Sequence, residues 1–270
     1  MLSTYKYSGE TWVDIDHGTP DEIHALMDTY NIHPFIAKEL TSATPKPRIE
    51  FHDDYIYCIL HFPVFKHTHS DGTSQEVDFI IGQDFVITAR YDTVDALHKF
   101  AKEMEVKEVL ENGLLHNRYK TQVMFTGILE ELYFSVFEEL EYIEDIIENT
   151  TTKIFAGKEK EMVVAISKVT KTLLDFKRVT DLHHEILESL KRRGLDIFGE
   201  SFANEIESII LDFQKINTTI KSNLDMLREL RETNNSLLTS KQNETIKKLT
   251  LVGAVLFVLN LLIVLFFSIR

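Results

Sequence analysis

The sequence predicts an α+β protein: an N-terminal α/β domain, an antiparallel helical pair, then a long stalk helix continuous with one C-terminal transmembrane helix. Three observations carry this. Residues 249–269 (LTLVGAVLFVLNLLIVLFFSI) run for about twenty residues without a charge, the length that crosses a hydrocarbon core of ~30 Å. From Ser201 onward there is no Pro, and the only Gly is Gly253, inside the apolar run, so nothing interrupts a helix on the way in. Residues 1–118, by contrast, alternate β-branched and aromatic runs with helix-start signals.

Composition narrows the function classes. With 44% hydrophobic residues among 270, the chain has ample material for a core and is not disordered. A net charge of −14 argues against nucleic acid, whose phosphates require clustered Lys and Arg. The single cysteine, Cys58, excludes a disulfide framework and a Cys-based zinc site and reads as a small core residue. The first thirty residues hold no apolar run of signal-peptide length. The N-terminal body is therefore expected in the cytoplasm and residues 249–269 as the single span of a cell-membrane protein. Lys247 and Lys248, just before the span, agree with a cytoplasmic N-side, while Arg270 lies on the far side.

Taken in order, residues 11–15 read as a short strand. Thr19-Pro20-Asp21-Glu22 then opens a helix with an N-cap, a Pro in its first turn and early acids, running to about Tyr30. His33-Pro34 opens a second helix to about Leu40. Pro45 and Pro47 mark an extended lead into residues 48–51. Residues 55–65 (YIYCILHFPVF) form a strand whose Pro63 belongs at a sheet edge. Residues 67–74, with Asp71-Gly72, are a hairpin connection, followed by strands at 77–81 and 85–90 and a helix at 94–104. Boundaries follow at 1–118 for the α/β domain, 119–200 for the helical hairpin, 201–248 for the stalk and 249–269 for the span.

In the helical middle, Leu129, Leu132, Val136, Leu140, Ile143 and Ile147 recur at steps of three and four, an amphipathic stripe. The same helix is acidic (Glu130, Glu131, Glu138, Glu139, Glu141, Glu144), and a second helix at 161–193 is basic (Lys168, Lys171, Lys177, Arg178, Lys191). Either the two faces complement each other or the acidic one attracts cations. Gly194 and Gly199 bracket a turn. The stalk carries its own stripe, Ile206, Ile210, Phe213, Ile216, Ile220, Leu224 and Leu227, and turns polar beyond Arg231. That polar stretch is suited to a wet neck or a partner helix. Within the span, Thr250, Gly253, Asn260 and Ser268 fall inside one arc of about 80° on an otherwise apolar helix. Such a stripe mediates helix association or lines a water-filled path, and either needs more than one copy, so a homo-oligomer is expected.

Eleven His offer neither a metal set at helical spacing nor a catalytic pair. His67 and His69 sit on the hairpin connection, and the adjacent His183 and His184 point in different directions. No P-loop, G-x-S-x-G or G-x-G-x-x-G is present, so no enzyme, catalytic residue or covalently bound cofactor is expected.

Several segments together resemble the CorA family of divalent-cation transporters. His33-Pro34, then Pro45-Lys46-Pro47-Arg48-Ile49-Glu50-Phe51 and Tyr55, resembles that family's His-Pro…Arg-Pro-Lys-Val-Glu-Phe…Tyr stretch. At the membrane approach, Lys241-Gln242-Asn243-Glu244-Thr245-Ile246-Lys247-Lys248-Leu249-Thr250 resembles Lys-x-Asn-Glu-x-Met-Lys-x-Leu-Thr. The resemblance covers essentially the whole chain. It implies a pentamer whose membrane helices line a pore, with Mg2+ as substrate and as a regulator held between cytoplasmic domains. A family acid for that regulatory metal corresponds to Glu39. Its partner position falls on Ser208, leaving Glu207 or Asp212 as substitutes.

The sequence also departs from the family pattern. The family's membrane-helix Pro falls on Val258, and its Gly-Met-Asn signature, which forms the outer mouth, falls on Phe267-Ser268-Ile269. The family's second membrane helix would lie beyond Arg270, so the expectation is a chain without it, or a truncated transporter. Two function classes follow. In the first, a homo-oligomeric pore conducts a divalent cation passively along Thr250, Gly253, Asn260 and Ser268, under the control of cytoplasmic metal. In the second, the chain is a non-conducting, membrane-anchored structural or regulatory subunit that assembles with a full-length relative.

Overall fold

The computed structural model describes residues 1–7, 10–63, 74–110 and 121–268, the side chains of residues 7, 107–110 and 265–268 excepted. The chain divides into two compact units, one of Met1–Tyr142 with Thr172–Lys221, the other of Ile143–Lys171 with Ser222–Arg270.

The first unit is built on a six-stranded mixed sheet. Its strands are β1 (Leu2–Tyr7), β2 (Glu10–Asp16), β3 (Arg48–Phe51), β4 (Ile56–Pro63), β5 (Ser74–Ile81) and β6 (Phe85–Arg90), in the order β1-β2-β6-β5-β4-β3. All neighbours are antiparallel except β2 and β6. Strand β1 has no counterpart in the sequence reading, since LSTYKY is short and polar and is stabilised by its pairing with β2. Pro63 closes β4 beyond the reach of β3, which pairs only with residues 56–59, so its missing N–H breaks no ladder on that side. The connection expected at 67–74 lies outside the described residues except for Ser74, the first residue of β5.

Strands β4, β5 and β6 are buried along nearly their whole length because helices cover both faces. On one face Tyr57, Ile59, Ile80, Ile87, Val13 and Ile15 form a core with α1 (Pro20–Tyr30) and α2 (Pro34–Glu39). The predicted capping box of α1 is present: the Thr19 side chain accepts from Glu22 N–H, and the Glu22 carboxylate accepts from Thr19 N–H at 2.9 Å. On the other face, Trp12 packs edge-on to Phe100 of α3 (Asp95–Leu110) at 5.5 Å, and Phe79 to Phe125 of α4 (Thr121–Phe155) at 5.4 Å. Cys58 is fully buried in β4.

The basic helix expected over 161–193 is two helices, α5 (Glu159–Thr180) and α6 (His183–Phe198). Thr180, buried, turns its hydroxyl back to the Phe176 carbonyl at 3.0 Å, a bond that bends helices, and the chain breaks at Asp181 and Leu182. The break delivers His183 into the core. Gly194 lies inside α6 rather than in a turn, and its lack of a Cβ makes room for the Phe202 ring, which a Cβ would meet at 2.1 Å. Gly199, at φ 89°, makes the turn. Helix α7 (Glu200–Ser268) is one uninterrupted helix of 69 residues. Of its predicted stripe, Ile206, Ile210, Phe213, Ile216, Ile220 and Leu227 are buried, and Leu224 is half-buried while its neighbour Asn223 is buried.

Candidate membrane helix and acidic groups

Among the described residues, one helix is long and apolar enough to cross a membrane. It is α7, with an 18-residue window of mean hydropathy 2.0 of which 0% is buried. Val252, Val255, Leu256, Phe257, Val258, Leu261 and Val264 are all exposed. Apolar side chains on every face read as a helix surrounded by lipid or by its own kind. Thr250 returns its hydroxyl to the Ile246 carbonyl at 2.9 Å, which uses its donor and leaves the oxygen able to accept. Nothing lies within 4 Å of where a Cβ on Gly253 would sit, and Asn260 is exposed. The side chain of Ser268 lies outside the described residues.

The three candidate metal carboxylates are each engaged. Glu39, at the end of α2, forms an ion pair with Arg48 of β3, which also lies in an ion pair with Glu50 at 2.8 Å. Burial opposes the Arg48 charge, but Glu39 and Glu50 outweigh it and hold the guanidinium pKa above its ordinary value. A cation at Glu39 has to displace that guanidinium. Glu207 pairs with Lys191 of α6, and Asp212 with Lys215 one turn on at 2.7 Å. These carboxylates belong to no group of three potential metal ligands among the described residues.

Asp212 nonetheless differs from the other two in its surroundings. It borders a groove of about 540 Å³ that also presents Glu103, Glu130, Glu131 and Glu141. Partial desolvation, then the charges of Glu205 and Asp212, raise the Glu130 carboxyl above its usual range. Lys215 also lines this groove and pairs with Asp212, and Lys99 pairs with Glu131 at 2.6 Å, so the acids outnumber the bases without being free of them. A cluster of carboxylates is the chemistry that attracts a hard cation with oxygen ligands. The sequence showed the acids of α4 and the Asp212 position separately. It could not show that Glu130 and Glu205 share Asp212's field, because α4 and α7 are far apart along the chain.

Two buried polar groups were not singled out as sites. Asp78 of β5 is 1% exposed and accepts from the Tyr57 hydroxyl at 2.9 Å and the Tyr91 hydroxyl at 3.3 Å. Burial first, and the neighbouring Glu76 next, push its carboxyl well above the usual range, against the opposing pull of the two tyrosine hydroxyls. His183, fully buried, donates from Nε2 to the His61 carbonyl at 2.9 Å, which leaves Nδ1 to accept from the Tyr133 hydroxyl at 2.8 Å. Burial depresses its pKa to about 4, so it is a neutral core histidine rather than a ligand.

The motif residues near the N-terminus serve packing. The His33 N–H donates to the Tyr55 hydroxyl at 3.0 Å, and the His33 ring caps α2 by accepting from Phe35 N–H at 3.2 Å. His52 stacks on Tyr55 at 4.6 Å, and Arg48 lies over the Tyr57 ring at 5.7 Å. The His-Pro…Arg…Tyr spacing thus locks α2 onto β3 and β4.

Comparison with known proteins follows this architecture. A family model described as CorA-like Mg2+ transporter protein matches residues 8–267. The cobalt/magnesium transport protein CorA of Thermotoga maritima is 20% identical over 92% of this chain and 70% of its own length. That of Methanocaldococcus jannaschii is 24% identical over 90% of this chain and 75% of its own. The solved structure of the complete Methanocaldococcus jannaschii CorA magnesium transporter superposes with a TM-score of 0.77. It shares 21% identity and covers 90% of this chain and 75% of that one.

Proposed function

The chain belongs to the CorA-like Mg2+ transporter family, and from that premise we propose that it conducts divalent cations, Mg2+ first among them, through a homo-oligomeric pore. The observation that carries the proposal is the membrane stretch of α7. Its apolar surface is wholly uncovered, and Thr250, Gly253 and Asn260 share one narrow arc. A single helix cannot enclose a path, so copies of α7 would bring these arcs together around the axis. Hydroxyl and amide oxygens suit a cation that keeps its water, as Mg2+ does because it dehydrates reluctantly. Conduction would be passive, driven by the ion's gradient.

Control by cytoplasmic metal is part of the same proposal. Its support is the groove at Asp212, where several carboxylates gather and the charges of Asp212 and nearby Glu205 bear on Glu130, although Lys215 pairs with Asp212 there as Arg48 and Lys191 pair with Glu39 and Glu207. A second reading, a non-conducting anchored subunit, is favoured by the apolar Phe267 and Ile269 where the family signature presents polar groups.

Mg2+ influx into vesicles holding only the purified chain separates the two. The pore reading expects influx above protein-free vesicles, cut at least tenfold by Asn260→Leu. No influx from a folded, inserted chain favours the anchored subunit.

A further inference from the structure

The turn between α4 and α5 is built as a tip, fastened to α7 shortly before the span. Helix α4 ends in a Schellman motif: Lys158 N–H donates to the Lys153 carbonyl and Gly157 N–H to the Ile154 carbonyl, each at 3.1 Å. Gly157 supplies the required left-handed residue at φ 88°. Two groups of α7 then hold the tip. Asn234, buried, donates to the Glu159 carbonyl at 3.0 Å, and Lys241 pairs with the Glu159 carboxylate at 2.6 Å. All these residues belong to one compact unit. Lys241 precedes Leu249, the first residue of the apolar run, by about 12 Å of helix rise.

The tip presents an aromatic ring among lysines. Phe155 is 69% exposed at its end. Lys158 and Lys160 are exposed, Lys153 is half-buried, and no carboxylate partner is found for these three among the described residues. A cleft of about 670 Å³ beside the tip is lined by Lys158, Lys160, Lys241, Gln242 and Thr245, and by two acids, Glu159, which pairs with Lys241, and Glu161. Lys247 and Lys248 stand next on α7. A cluster of lysines with an exposed aromatic ring, in a chain of net charge −14, is out of keeping with ordinary surface.

We propose that the α4–α5 tip docks on the bilayer that α7 enters, with Phe155 in the interfacial layer and Lys153, Lys158 and Lys160 on anionic phospholipid headgroups. A phenyl ring gains by leaving water at the headgroup level, and each Lys close to an anionic leaflet adds about 1 kcal/mol. Long Lys side chains reach headgroups from a backbone that stays above them. This rests on α7 being the span, which the same experiment checks independently.

The test uses the full chain in vesicles of phosphatidylcholine, with and without phosphatidylglycerol, carrying a lipid-attached fluorescence quencher. One fluorophore is placed at the exposed tip by Ala156→Cys, the buried Cys58 being unreactive, and a separate one in the span by Val258→Cys. The span label is expected to be quenched in both lipids, and its failure would remove the span reading itself. With the span label quenched, the tip label is expected to be quenched strongly only where phosphatidylglycerol is present. Each Lys→Gln change at 153, 158 or 160 should weaken docking by roughly fivefold. Phe155→Ala should weaken it in either salt, whereas the lysine effect should fade at high salt. Tip quenching that is absent, or equal in both lipids, or that follows protein density rather than lipid charge, would overturn the proposal. The last result would mean that a second copy covers the tip.

Discussion

Helix α7 contains two apolar stretches that solve opposite problems. Near its start, Ile206, Ile209, Ile210, Phe213, Ile216 and Ile220 form one stripe, each at most 1% exposed, with polar residues on the other face. Near its end, Leu251, Val252, Leu256, Phe257, Val258 and Leu262 surround the helix, each more than half exposed. The first pattern has a protein surface to cover it: Phe213 sits against Tyr133 at 5.9 Å and His183 at 5.7 Å. The second has none among the described residues, a surface suited to lipid or to further copies. Where apolar residues are placed around a helix, more than how many there are, decides which solvent it needs.

The largest effect should come from breaking the covered stripe. Phe213→Ala is expected to destabilise the soluble unit by about 3–5 kcal/mol, because the emptied ring site lies between packed aromatics. Leu256→Ala, of the same chemical kind but in the uncovered stretch, should change the same transition by less than about 0.5 kcal/mol. Denaturant unfolding in a mild detergent, followed by near-ultraviolet dichroism, measures both. Equal effects would erase the distinction.

Acidification tests the same aromatic cluster. The folded pKa of His183 is about 4, below its ordinary value of 6.5, so the unfolded chain takes up the proton first as pH falls. Stability should be complete above pH 6.5 and decline towards pH 4, by roughly 3 kcal/mol in all. His183→Gln should lower stability at pH 7 but flatten that slope in melting curves. A slope unchanged by the substitution would assign it to other groups.

Asp78 works in the opposite sense. Its folded pKa lies above the ordinary 3.8, so the unfolded chain loses its proton first and stability falls as pH rises from there towards the folded value. Asp78→Asn keeps an acceptor for Tyr57 and Tyr91 and has no proton to lose. It should raise Tm at neutral pH while leaving Tm near pH 4 almost unmoved. A lowered Tm at neutral pH would show that the carboxylate is ionised and compensated.

The smallest effect belongs to the acidic groove. Glu130→Gln removes one of its like charges, and Tm should rise by a degree or two at low salt and less at high salt.

Much of this was legible in the sequence because it is local. The Thr19 and Glu22 capping box, the stripes of α4 and α7, and the uncharged run after Lys248 each need only a short window. The family motifs were legible too, although their contacts show that His33, Arg48 and Tyr55 pack the domain. What stayed hidden was set by partners far along the chain. Strand β1 depends on β2. The break before His183 depends on a core site beside Tyr133. Gly194 serves the Phe202 ring, and Asn234 serves a carbonyl at the start of α5. Asn234 is instructive: the sequence placed it in a polar stretch suited to water or a partner helix, and it is buried with a partner in its own unit.

The most direct test of the contrast within α7 is a cysteine scan over residues 249–264 in vesicles, reading reaction with a small water-soluble thiol reagent. The account predicts fast reaction at 250, 253 and 260, on the polar arc, and slow reaction at 252, 256 and 258, with divalent cations slowing the fast set. Uniformly slow labelling along the whole stretch would contradict a water-filled path and leave α7 as an anchor.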